Sequence, residues 1–265
     1  VSGARAMTSV ISSPGRASCL CSFQNPLNIA VIGASGGIGS ALIKQLTLDA
    51  PEANVFAFSR RQLTEKPDSV KASEIELENE TSISGAAGLC RQHVKDLSAV
   101  FVATGLLHDG ESVKPEKSWR SMNAYSLEQA FRINTIGPAL VAKHFLPLMK
   151  RDSKSVFACL SARVGSIEQN QLGGWYGYRA SKAALNMIIK TLSIELARSN
   201  PRSVCVGLHP GTVDTRLSKP FQGNVESEKL FAPKKSALAL LSVVDNLTPT
   251  DTGKIFAWDG EVIPY

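Results

Sequence analysis

A tyrosine and a lysine four residues apart, Tyr178 and Lys182 in the run Tyr178-Arg179-Ala180-Ser181-Lys182, are the residue types of an acid/base pair. Leu185, Ile188, Ile189, Leu192 and Leu196 recur behind them at helical spacing, so a helix starting near Tyr178 puts both on one face. A cation beside a phenol favours the phenolate. A group that ordinarily titrates near ~10 then moves towards the working pH and can act as a general acid or base. The plainer reading of such a pair is a half-buried Tyr beside a solvated Lys, and only the surroundings choose between the two.

The surroundings are strands alternating with helices. Asn28 to Ile32 reads as a short strand, followed by the glycine-rich run Gly33-Ala34-Ser35-Gly36-Gly37-Ile38-Gly39 and a helical pattern through Ala41, Leu42 and Leu46. Glycines allow a tight turn and a close backbone approach to a pyrophosphate, whose charge meets free N–H groups at the helix N-terminus. Gly33, Ser35, Gly37, Ile38 and Gly39 are therefore candidate cofactor contacts; an empty βα turn is the bland alternative. A second strand, Val55 to Phe58, ends in Ser59-Arg60-Arg61. An acidic residue there would bind a free ribose hydroxyl, whereas an Arg accepts a 2′-phosphate, so Arg60 favours NADP(H), with NAD(H) the alternative.

A third strand is expected near Ile75 to Leu77. A fourth, Ala99 to Ala103, is followed by Thr104-Gly105. Leu127, Phe131, Leu140, Val141 and Phe145 mark a helix over 126 to 148, interrupted by Asn134-Thr135-Ile136-Gly137-Pro138. Pro138 removes a backbone hydrogen bond, and Asn134 is in place to satisfy groups so freed. A fifth strand runs from Ser155 to Leu160 and leads into Ser161-Ala162-Arg163. A sixth, Ser203 to Leu208, leads into His209-Pro210-Gly211-Thr212-Val213-Asp214-Thr215, and a last one spans Lys254 to Trp258. The alternation predicts an α/β fold: one Rossmann-type domain over 27 to 265, a doubly wound parallel sheet of about seven strands flanked by helices, with ligands at the carboxyl ends of the strands. The loops at 106 to 120 and 216 to 230 are expected to shape a substrate pocket, the latter as a lid.

Composition narrows the function. With 43% hydrophobic and 20% charged residues the chain has the make-up of a globular domain. No apolar run approaches the ~20 residues that span a bilayer, which argues against a membrane-embedded protein. The net charge of +6 comes from scattered Lys and Arg without interleaved aromatics, so no nucleic-acid partner is expected. Cys159 and Cys205 fall in buried strands, as in a reducing compartment, and the four histidines are dispersed, so no metal site is expected. Residues 1 to 26 lack acidic side chains and periodicity; they read as a flexible extension of a cytoplasmic protein or as a transit peptide for an organelle matrix.

In their order and spacing, Gly33, Gly37 and Gly39, then Asn134, then Tyr178 and Lys182, then Pro210-Gly211 with Thr215, resemble the short-chain dehydrogenase/reductase family from about Asn28 to Tyr265. The runs Ser161 to Ile167, Gly173 to Tyr176, Tyr178 to Asn186 and Phe256 to Gly260 are similar to its C-factor and sniffer-type carbonyl reductase branch. The resemblance implies an NAD(P)-dependent oxidoreductase acting on a small carbonyl or alcohol, or a dinucleotide-binding signalling relative. It makes Tyr178 the catalytic acid/base and Lys182 the group that holds the nicotinamide ribose and lowers the Tyr178 pKa. Asn134 would hold a relay water. Ser161 would orient the substrate oxygen, Thr215 would contact the nicotinamide amide, Thr104, Gly105, Pro210, Gly211 and Val213 would contact the cofactor, and Glu76 and Leu77 would lie near the adenine. Pairing through the fourth and fifth helices, as a homodimer or homotetramer, is implied as well.

The chain departs from the family in two places. Val102-Ala103-Thr104-Gly105 stands where the family has Asn-Asn-Ala-Gly. Where two serines commonly occur, the second catalytic, this chain has Ser161 and then Ala162. Successive strand residues face opposite sides, so Ser161 takes the catalytic place only if the strand end shifts by one residue.

Overall fold

Every residue of β1 (Asn28–Ile32) is buried, as an inner strand of a parallel sheet covered on both faces must be. In the computed structural model, which describes residues 20–63, 66–223 and 226–265, β1 pairs in parallel with β2 (Asn54–Ser59) on one side and β4 (Ala99–Val102) on the other. Beyond β2 lies β3 (Val70–Glu74); beyond β4 lie β5 (Ser155–Leu160), β6 (Ser203–His209), β9 (Ile255–Ala257) and β10 (Val262–Ile263). The eight-stranded order is β10-β9-β6-β5-β4-β1-β2-β3. The chain leaves β1 in one direction through β2 and β3 and in the other through β4, which opens a crevice at the carboxyl ends of β1 and β4. A separate two-stranded ribbon pairs β7 (Thr212–Val213) with β8 (Leu230–Phe231).

Two apolar layers clamp the sheet. Alternate strand residues Ile29, Val31, Val55, Val204 and Val206 pack with Leu42 and Leu46 of α1 (Gly37–Asp49) and with Leu240, Leu241 and Val244 of α6 (Pro233–Asn246). Their neighbours Ile32, Phe56, Phe58, Val100 and Phe157 meet Ile83 of α2 (Glu80–His93), Phe145 of α4 (Gly137–Phe145) and Leu185 and Ile189 of α5 (Tyr176–Ser199). The period-two alternation of the strands and the 3.6-residue stripe of the helices thus meet on both faces.

Several sequence expectations are corrected. Among the described residues the sheet has eight strands rather than about seven, because β10 folds back antiparallel on β9. The third strand is Val70–Glu74 rather than Ile75 to Leu77. As an edge strand it pairs, among the described residues, only with β2 and leaves Ser73 and Glu74 exposed, so it carries little apolar signal, while Ile75 and Leu77 are buried just past its end. The fold begins before residue 27: Leu20 and Phe23 sit in the core, and Lys150 donates from Nζ to the carbonyls of Gln24 and Pro26. The rest of the expected extension, 1 to 19, lies outside the described residues. Among the described residues no helix is long and apolar enough to cross a membrane.

Candidate active site

The turn after β1 is built for something that lies against backbone. Gly33 has φ +90, and a Cβ there would stand 2.7 Å from the Ala103 carbonyl oxygen. At Gly39 a Cβ would fall 2.2 Å from the Gly33 oxygen, and at Gly37 2.7 Å from Cγ2 of Thr215. Only glycine lets the turn, the first turn of α1 and the segment after β6 come this close. The N-cap of α1, Gly36, offers no side-chain acceptor, and the first turn carries no acidic residue, so the positive end of the helix faces the crevice uncompensated. Ser35 is exposed at its mouth and Ile38 packs on the core. These features fit a pyrophosphate.

The flanks suit the rest of a dinucleotide. Arg60 and Arg61 are exposed immediately after β2, where Ser59 Oγ donates to the Arg61 carbonyl at 2.6 Å and shapes the corner. Glu76 is exposed, whereas Leu77 is buried against the start of α4, 3.0 Å from where a Cβ on Gly137 would be. On the other flank Gly211 has φ +79 and lies against Phe231 and Trp258, Pro210 accepts a bond from Ser236 Oγ at 2.8 Å, and buried Val213 pairs with Phe231 in the ribbon. Thr104 Oγ1 is buried without a partner among the described residues, the orphaned polar atom expected of a side chain that meets a ligand.

Deeper in, three groups converge on one point. A Cβ on Gly105 would have Leu217 Cδ1 at 3.6 Å, Asn134 Oδ1 at 3.7 Å and Lys182 Nζ at 3.8 Å. Asn134 is delivered by a π turn, Arg132–Ile136, between α3 (Ala124–Phe131) and α4. The interruption is thus a widened turn ahead of Pro138, of the kind often found at functional sites. Asn134 does not serve groups freed within its own helix. Its Oδ1 accepts from the Leu106 N–H at 2.7 Å, and its Nδ2 donates to the Leu106 carbonyl at 2.8 Å and to Ser181 Oγ at 3.0 Å. It therefore holds the loop after β4. Lys182 is 2% exposed and donates from Nζ to the Leu160 carbonyl at 2.8 Å; the same Nζ lies 5.9 Å from the Tyr178 ring centroid.

The sequence model for the short chain dehydrogenase family matches residues 27–225. The chain belongs to the short-chain dehydrogenase family. A 1-hydroxy-2-glutathionyl-2-methyl-3-butene dehydrogenase of Rhodococcus is 29% identical over 239 residues, covering 89% of this chain and 99% of that protein. The C-signal protein of Myxococcus xanthus is 35% identical over 139 residues, 52% of this chain and 78% of that one. Among solved structures, the NADPH-bound carbonyl reductase from chicken fatty liver superposes with a TM-score of 0.77 at 24% identity, covering 90% of this chain and 98% of that one.

In this dehydrogenase Lys182 Nζ and Asn134 Oδ1 meet beside Gly105, and the same Nζ lies near the Tyr178 ring, whereas Ser161 is turned elsewhere. Ser161 is buried and its hydroxyl donates to Asn186 Oδ1 on α5 at 2.6 Å, so its proton is spent away from the crevice. The one-residue shift does not occur; β5 keeps its alternation, and Ser161 faces α5 like Cys159 two residues before it. The expected lowering of the Tyr178 pKa is also absent in the protein alone. Burial pushes the phenol up to about 12, and burial likewise pulls Lys182 down to about 8, opposed by the nearby Cys159. With Nζ turned to the Leu160 carbonyl, desolvation outweighs the cation.

The sequence reading missed four contributors. Ser181 links Asn134 to the Tyr178 carbonyl, to which its Oγ donates at 2.9 Å. Trp175 takes a left-handed conformation, φ 53 and ψ 44, with its ring edge-on to Tyr178 at 6.2 Å and to Phe221 at 5.2 Å. His108 bonds through Nε2 to the Leu217 carbonyl at 3.1 Å and meets Phe221 at 5.6 Å, so the loops expected to shape the pocket do touch. Buried Glu116 meets the start of α5. Two of them carry a sequence signal: Ser181, three residues after Tyr178 on one helix, and Trp175, inside the run Gly173 to Tyr176.

Proposed function

We propose that the protein transfers hydride reversibly between NADP(H) and a small carbonyl or alcohol, with Tyr178 as the general acid/base. The observation that carries this reading is the convergence of Lys182, Asn134 and Leu217 beside Gly105, with Tyr178 one helical turn from Lys182 and the glycine cradle at the same end of the sheet. The bound dinucleotide supplies the hydride. Gly33, Gly37, Gly39 and the α1 N-terminus hold its phosphates, Arg60 receives the 2′-phosphate that distinguishes NADP(H), and Thr104, Val213 and Thr215 line the nicotinamide end. The carbonyl reductase to which the fold is similar was solved with NADPH, which supports the same cofactor.

In reduction, the half-buried Tyr178 phenol, its pKa pushed up to about 12 by desolvation, is protonated throughout the neutral range and gives its proton to the alkoxide oxygen as it develops. Lys182 provides the positive charge that the resulting phenolate needs in a dry site, and Asn134 fixes the loop that closes it. Ser161 acts through Asn186 on the placement of α5 rather than as a donor to the substrate. Replacing Tyr178 by Phe should remove at least 99% of turnover on a panel of aldehydes, ketones and quinones while NADPH binding persists; more than a few per cent of residual activity overturns the assignment.

The turned-away Ser161, Ala162 in the customary place and the likeness to C-signal support a second reading, a dinucleotide-binding regulatory protein whose chemistry is slow or dispensable. No turnover on the same panel beside tight NADPH binding would favour it.

A further inference from the structure

The catalytic helix begins without a cap of its own. Trp175, the N-cap of α5, makes no side-chain cap hydrogen bond, and the first turn carries no acidic residue. Its needs are met from the loop between β4 and α3. The Glu116 carbonyl accepts the Trp175 N–H at 2.5 Å, and the Glu116 carboxylate accepts the Gly177 N–H through Oε2 at 3.1 Å. A carboxylate at the positive end of a long helix is favourably placed. Glu116 is nonetheless only 4% exposed, and this carboxylate bond goes to backbone rather than to a cation. Such burial needs a reason, because a polar side chain gives up hydration to be there.

The reason lies in what the two bonds hold. They fix the residues three before and one before Tyr178, including a tryptophan in a backbone region that non-glycine residues avoid at a cost of about 1–3 kcal/mol. Space is tight as well: a Cβ on Gly177 would stand 3.1 Å from Oε1 of Glu116, and one on Gly174 3.4 Å from its carbonyl oxygen. Gly173 and Gly174, with φ +63 and +67, make the bend that brings the chain to this anchor.

We propose that Glu116 is a positioning residue for the reaction: a cap supplied from a distant loop that sets both the direction of Tyr178 and the Trp175 wall over it. This rests on the hydride-transfer reading for its kinetic consequence, though the placement of Trp175 is independent of it. Glu116→Ala, which removes the carboxylate acceptor, and Glu116→Gln, which retains an oxygen acceptor, separate the bond from the bulk of the side chain.

The test measures steady-state kinetics of the full chain with NADPH and records ¹⁹F spectra of protein labelled with 5-fluorotryptophan. The Trp175 signal is assigned by its loss in Trp175→Phe. The expected result is a fall in kcat of tenfold or more in Glu116→Ala with KM for NADPH within twofold of wild type, a displaced or broadened Trp175 signal, and recovery of most of both by Glu116→Gln. A kcat within twofold of wild type together with an unmoved Trp175 signal in Glu116→Ala overturns the proposal, and so does a folded Glu116→Gln that is as impaired as the Ala variant. Should Glu116→Ala not fold, Glu116→Asp, whose carboxylate falls one methylene short, is read by the same two measures. If the wild-type chain turns over no carbonyl, the hydride-transfer reading fails, and the Trp175 signal alone decides whether Glu116 holds the turn.

Discussion

Removing the charge of Lys182 should stabilise the protein while disabling it. Lys182 is 2% exposed, and burial draws its pKa from the usual 10.5 to about 8. That change corresponds to roughly 3 kcal/mol of unfavourable free energy whenever the ammonium is charged in the folded chain. The sign follows from proton counting. Between pH 8 and pH 10.5 the unfolded chain binds more protons at this site than the folded one, so stability rises with pH in that window. Below pH 8 both states are protonated and the whole penalty is present. Lys182→Met keeps the stem and removes the charge. With an unfolding entropy of about 2.1 cal/mol/K per residue, 3 kcal/mol spread over a chain of 265 residues raises Tm by roughly 5 °C at pH 7. Thermal melts of both proteins from pH 7 to pH 10 should show the gap closing as pH rises past about 8, with turnover lost in the variant throughout. A variant less stable than wild type at pH 7, or a gap that does not change with pH, would refute the reasoning.

Other changes probe other parts. Arg60→Ala should reduce the preference for NADPH over NADH at least tenfold in kcat/KM, and an unchanged ratio removes Arg60 from the cofactor argument. Gly39→Ala forces a Cβ to within 2.2 Å of the Gly33 oxygen, so NADPH binding by calorimetry should disappear and stability should drop by about 1–3 kcal/mol in a urea melt. Ala162→Ser supplies a hydroxyl where the family carries one, and kcat with carbonyl substrates should rise several-fold; no gain would mean that Tyr178 orients the oxygen unaided.

What could be read from the sequence depended on how local its cause was. The glycine turn, the alternation of strands and helices, and the helix face shared by Tyr178 and Lys182 are set by short-range geometry, and the α/β fold follows from them. The edge strand β3 escaped because a strand with one partner and a solvated face needs few apolar residues. Leu20 and Phe23 join the core by tertiary packing that leaves no periodic trace over so few residues. In the site, the direction of Ser161 follows from the alternation of β5, a local rule, but its partner Asn186 lies 25 residues away. The Tyr178 pKa has a different origin: spacing shows which charges share a face, whereas desolvation, which raises it here, belongs to the whole fold. Glu116 and His108 meet their partners across 61 and 109 residues and left no local signature.

The π turn at Arg132–Ile136 bears on how this sequence can drift. A π turn is an α-helix carrying one surplus residue, so deleting any one of its residues would heal the hydrogen-bond ladder and give a more regular helix. The same deletion would swing everything on one side of it by about 100° relative to the other. Asn134 would then lose its hold on Leu106 and Ser181, or α4 would lose the face that buries Val141 and Phe145. Local helix quality and the alignment of two packed surfaces are thereby set against each other, and substitutions in this stretch should be far better tolerated than changes in its length.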